Sequence, residues 1–83
     1  MAKDPNDYST PIIGGLYEHY KGKHYRVHGM VRHSETLEEL VYYEALYKNE
    51  LGNMWVRPLK IFQGSVTVDG EVTPRFRYLN SKV

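Results

Sequence analysis

Three adjacent side chains, His33, Ser34 and Glu35, combine a base, a hydroxyl and an acid, the types that nucleophilic catalysis uses. Neighbours on an extended chain point to opposite faces, so His33 cannot hydrogen-bond Ser34 without a kink. No G-x-S-x-G elbow surrounds them. The plainer expectation is a polar turn in which Ser34 and Thr36 hydroxyls satisfy loop amides. A small hydrolase or transferase would instead join His33 and Glu35 to Arg57, and its signature would be a perturbed histidine pKa.

The four histidines raise the question of metal. His24 and His28 share a strand face, but four residues of strand separate them by about 13 Å, too far for one ion. His19 and His24 come opposite each other only if Lys21-Gly22 is a two-residue hairpin loop, which would set their Cβ atoms about 5 Å apart. A three-residue loop with Gly22 in the left-handed conformation shifts the register by one and separates them. No third ligand stands nearby, so no metal site is expected.

Trp55, Arg57, Arg75 and the tyrosines form the richest group. Small barrels commonly bind ligands on one face with aromatic platforms and nearby cations. Arg57 and Arg75 suit bidentate pairing with a phosphate or carboxylate. The competing reading puts Trp55 and Phe76 in the core and pairs both arginines with the Glu35–Glu39 cluster. A basic block, Lys21, Lys23, Arg26 and Arg32, stands beside Tyr20 and Tyr25 with no acid among residues 21–32. It would suit a nucleic-acid groove, or simply a solvated face, and a net charge of +1 favours the latter. No Walker loop, dinucleotide fingerprint, zinc-finger spacing or EF-hand loop occurs, and no cofactor is expected.

These residues need a sheet to position them. Tyr25, Val27 and Val31 alternate with Arg26, His28 and Arg32, and Val41, Tyr43, Ala45 and Tyr47 follow the same period of two. The pattern predicts a long hairpin, Lys23 to Arg32 and Val41 to Tyr47, around a turn centred on Ser34 to Glu38. Gly29 suggests a bulge. Thr36 and Glu39 match a capping box, so a helix from here is the local competitor. Further strands are predicted at Leu16 to Tyr20, Met54 to Arg57, Val66 to Val68, Glu71 to Thr73 and Arg75 to Leu79. Asp69-Gly70 carries a type I′ turn signal. Pro58 to Phe62 reads as one 3₁₀ turn that would plug a barrel with Leu59 and Phe62.

At 83 residues the chain has room for one domain, with a core near the lower limit for independent stability. With no cysteine, that core receives no disulfide, and its eight tyrosines and its valines favour sheet over helix. No apolar run is long enough to span a bilayer and no signal segment is evident, which fits a cytoplasmic protein with no membrane partner.

Several ordered blocks resemble a family of small bacterial domains of unknown function. They are Gly15 to Val27 (GLYEHYKGKHYRV), His33 to Thr36 (HSET), Val41 to Tyr47, Trp55 to Pro58 (WVRP) and Pro74 to Phe76 (PRF). The resemblance spans roughly residues 14–78 and implies a bacterial source and a stand-alone domain.

The expectation is therefore all-β: a small SH3-like, partly open barrel of five or six antiparallel strands, with an OB-like barrel as the alternative. Residues 1–13 would be a flexible tail, 14–80 the domain and 81–83 a second tail. A non-enzymatic binding module would engage an anionic partner (nucleic acid, nucleotide or acidic peptide) through Tyr17, His33, Glu35, Trp55, Arg57 and Arg75. The alternatives are the His33, Ser34 and Glu35 chemistry above, or a structural domain with a protein partner, as monomer or weak dimer.

Overall fold

The alternating valines and tyrosines form the central hairpin of the computed structural model, which describes residues 10–81. Strand β2 (His24–Arg32) pairs antiparallel with β3 (Glu39–Ala45), from Tyr25 opposite Ala45 to Arg32 opposite Glu39. The register shifts between Val27 and Gly29. One extra residue exchanges the faces of everything beyond it. Val27 is therefore fully buried, while Met30 rather than Val31 packs on the core and Val31 is exposed. The capping-box helix does not form: the Thr36 Oγ1 accepts from the Glu38 N–H within the turn, and Val41 and Tyr43 continue as strand.

Strand β1 (Leu16–His19) adds to the far side of β2, and β4 (Met54–Pro58) to the far side of β3. Two short strands, β5 (Ser65–Val68) and β6 (Glu71–Pro74), make a separate hairpin whose turn residues Asp69 and Gly70 have φ of 50° and 82°. Strand β7 (Phe76–Asn80) then returns to pair with β1. The strand order of the main sheet is β4-β3-β2-β1-β7. Seven strands are thus present among the described residues, against the five or six expected for the barrel. Each matches one of the strand segments expected from sequence, and Arg75 is the single bend residue between β6 and β7, which belong to different sheets.

The fold is a small, partly open β-barrel. No ladder joins β4 to β7. A single helical turn, α1 (Leu59–Phe62), fills the gap. Its Gln63 N–H donates to the Leu59 carbonyl four residues back, so the turn is α rather than 3₁₀. Phe62 is the plug. Its ring stacks on Phe76 at 4.2 Å and meets Tyr17 edge-on at 5.4 Å and Tyr43 at 5.7 Å. Val27, Val41 and the three aromatic partners of Phe62 complete the core.

The anchored part of the chain begins before the expected boundary at residue 14. Residues 1–9 lie outside the described residues, but 10–13 are fixed: Pro11 is buried, and the Ile12 N–H donates to the Tyr17 hydroxyl at 2.9 Å. Ile13 in this segment is exposed. At the other end, the Ser81 Oγ pairs with the Tyr78 hydroxyl, and residues 82–83 lie outside the description.

Gly15 is where this anchoring is most demanding. A Cβ there would stand 2.8 Å from the Ile12 carbonyl oxygen and 3.0 Å from the Tyr17 ring. Gly15→Ala is expected to destabilise the fold by about 1–3 kcal/mol through overpacking, read as a lowered urea midpoint. An unchanged midpoint would mean that the 10–15 segment does not hold this position.

Candidate functional site

The end of the barrel where β1 leaves and β2 begins collects its polar aromatic groups. The register decides which ones. Glu18 pairs with His24 and Tyr17 with Tyr25, so the loop is three residues, with Gly22 at φ 97° and its N–H donating to the His19 carbonyl. His24 and Glu18 therefore face outward together, and His19 turns inward. Its ring lies 4.9 Å from Phe76, 4.5 Å from Tyr20 and 6.2 Å from Tyr25. Beside it the Tyr25 and Tyr47 hydroxyls pair at 2.7 Å. Burial first, and then that bond, hold the Tyr25 phenol above its ordinary pKa.

Two guanidinium groups enter this cluster. Arg57, from β4, donates its Nε–H to the Tyr43 hydroxyl at 3.2 Å and sets its Cζ 5.5 Å from the Phe76 ring centroid. Arg75 comes from the bend between β6 and β7. Its backbone is held at both groups: its N–H donates to the Gly64 carbonyl and its carbonyl accepts from the Tyr20 N–H, both at 2.9 Å. Its Cζ sits 5.8 Å from the Tyr20 ring, and its buried Nε has no hydrogen-bond partner among the described residues.

Neither arginine has a carboxylate partner among the described residues. The expected pairing with Glu35–Glu39 is absent: Glu39 meets Arg32 instead, at 4.0 Å, and Glu18 is taken by Arg77 and His24. His19 registers the resulting field. Burial first, then the charges of Arg57, Arg75 and Lys21, lower its pKa from the ordinary 6.5. Its Nδ1 accepts from the Lys21 N–H at 3.2 Å, so the neutral ring carries its proton on Nε2 and offers it as a donor.

Near pH 6.5 the unfolded chain binds a proton at His19 that the folded chain resists. The His19 contribution to stability is complete above that pH and is lost as the pH falls through the folded value. NMR titration of the His19 ring is expected to give a midpoint below 6.5, and inorganic phosphate is expected to raise it by neutralising the arginines. A midpoint at or above the ordinary value would contradict the cationic surroundings.

The residues singled out by sequence divide into two groups. Arg57 and Arg75 enter the cluster, whereas Trp55 packs half-buried against the core with its indole Nε1–H donating to the Gly52 carbonyl. Tyr17 does not belong there: it is a core side chain, packed on Phe62 and Tyr78. Its inward position follows from its register opposite Tyr25 and Tyr78. His33, Ser34 and Glu35 lie in the β2–β3 turn, beyond Arg32 and Glu39, roughly 20 Å along the strands from Tyr25. There the His33 Nδ1 accepts from the Glu35 and Thr36 N–H groups, so the imidazole serves the turn and Arg57 is not brought to it. Among the described residues no three His, Asp or Glu gather closely enough to hold a metal, and no helix is long and apolar enough to cross a membrane. His19, Tyr25, Tyr47 and Phe76 are functional candidates that the sequence did not assign to one site. Their signal was the three-residue Lys21-Gly22 loop, whose register settles which histidine points inward.

The fold and this cluster define a small partly open barrel with an aromatic and cationic end. The chain belongs to the DUF1653 family, described as proteins of unknown function, whose family model matches residues 15–78. It is similar to the crystal structure of a DUF1653 protein from Bordetella bronchiseptica, at 38% identity and a TM-score of 0.78, covering 83% of this chain and 88% of that one. Comparison with curated proteins finds no match.

Proposed function

We propose that this protein is a non-enzymatic binding module that takes an anionic group, phosphate or carboxylate, at Arg57 and Arg75, with the His19 Nε2–H as a third donor. One observation carries the reading: the Arg75 Nε is buried with no acceptor among the described residues. A buried donor left unmade costs about 1–3 kcal/mol, so an acceptor that reaches it is favoured. Charge-assisted bonds to a guanidinium are among the stronger ones available. The exposed ring of Tyr20 alongside suits a ligand with a planar portion, such as a nucleotide.

Uridine monophosphate and inorganic phosphate, titrated separately into isotopically labelled protein, test this. Backbone amide shifts are expected at His19, Tyr20, Arg75 and Phe76 with both ligands. No movement with either, or movement confined to the 33–38 turn, would sink the proposal.

A further inference from the structure

The cations at this end of the barrel extend beyond the two arginines. The Lys21 Nζ lies 5.8 Å from the Tyr20 ring centroid, and the Lys23 Nζ lies 4.9 Å from that of Tyr47. The basic block read from the sequence is thereby split. Arg26 is spent on the Gly14 carbonyl and Arg32 on the Leu37 carbonyl and Glu39, which leaves the two lysines at the rim. A cleft of about 430 Å³ opens beside Lys21, with His19, Tyr20 and Lys21 on one side and Thr73 and Arg77 on the other. Glu18 also lines this cleft, but its carboxylate is held by Arg77 and His24, and no other acid lines it. Its volume is in the range of small-molecule sites and much exceeds what one phosphate requires.

His19 and Tyr20 are the shared wall. They touch the arginine cluster on one side and line the cleft on the other. At the rim, cation and ring stand together twice, Arg75 and Lys21 with Tyr20 and Lys23 with Tyr47, whereas the Phe76 ring beside Arg57 belongs to the core. A polymer that alternates phosphate with a flat base suits these paired cations and rings. An acidic peptide supplies the charges but has no regular planar group for the rings.

We infer that the ligand of this end of the barrel is a single-stranded nucleic acid, one phosphate held by Arg57 and Arg75 and the chain continuing past Tyr20 into the Lys21 cleft. This rests on the arginine site proposed above. Sequence preference is expected to be weak, because stacking and phosphate contacts accept any base.

Fluorescence anisotropy with labelled decauridylate, set beside calorimetry with uridine monophosphate, tests it. The oligonucleotide is expected to bind at least tenfold tighter than the mononucleotide. With about three phosphates engaged, its affinity should fall roughly tenfold to twentyfold between about 50 and 200 mM salt. A Lys21→Glu/Lys23→Glu variant should bring the oligonucleotide down toward the affinity of the mononucleotide. Equal affinity of oligomer and monomer would overturn the polymer and leave the arginine site standing. Binding of a polyglutamate peptide but not of decauridylate would also overturn it, in favour of a protein partner. Silence from both nucleotide ligands would remove the arginine site and the inference together.

Discussion

Phe62→Ala is expected to leave little folded protein at 37 °C. Phe62 is 2% exposed and is the only side chain of α1 that reaches full burial among the described residues. It fills the gap between the unpaired edges of β4 and β7, so no neighbouring ladder can close over the cavity its loss creates. Truncating a buried phenylalanine costs about 3–5 kcal/mol. Domains are stable by about 5–15 kcal/mol, and one this short belongs toward the low end. Each kcal/mol moves the midpoint of a domain of this size by about 4–8 °C, so thermal unfolding followed by circular dichroism should shift by well over about 10 °C. Phe62→Leu, which keeps most of the volume, should lose far less. Equal, small losses from both would mean that α1 does not close the barrel.

Anion binding should be lost in an Arg57→Met/Arg75→Met double variant that still folds. A hydrogen bond to a charged partner contributes about 1.5–3 kcal/mol, and every 1.4 kcal/mol is about tenfold in affinity. Removing both guanidinium groups should therefore weaken phosphate or mononucleotide binding by roughly a hundredfold or more. Methionine keeps an apolar stem and removes the guanidinium groups that stand near Phe76 and Tyr20, so the loss reports charge and hydrogen bonding more than packing. Retained affinity in the folded double variant would place the ligand elsewhere.

Much of the fold was legible because its strands obey period two and its turns carry strong chemistry. Val41, Tyr43 and Ala45 are buried as the alternation requires, and Asp69-Gly70 adopts the positive φ angles its sequence advertises. Gly29 signalled its bulge, yet the exchange of Val31 for Met30 on the inner face depends on where the extra residue sits, which sequence does not specify. The site was half legible for a similar reason. Arg57 and Arg75 carry chemistry in their residue types. Their partnership with His19 depends on a one-residue choice of loop length at Lys21-Gly22, and that choice turns His19 in and His24 out. Tyr17 failed as a surface residue because its neighbours in register, Tyr25 and Tyr78, lie on strands 8 and 61 positions away in the chain. His33 and Glu35 attracted notice by type alone. The turn amides that occupy the His33 Nδ1 cannot be seen without the backbone.

On the proposed function, Arg75 is held in place for a ligand and not for the fold. Its buried Nε lacks an acceptor among the described residues, so replacing the side chain removes an unmet donor. Arg75→Met is the variant to measure, with the urea midpoint and the affinity for uridine monophosphate taken on the same preparation. Stability should rise by about 1 kcal/mol while binding weakens at least tenfold, the opposing signs that mark a residue kept for function. A midpoint that falls while the affinity stays unchanged would make Arg75 a structural residue and contradict the account.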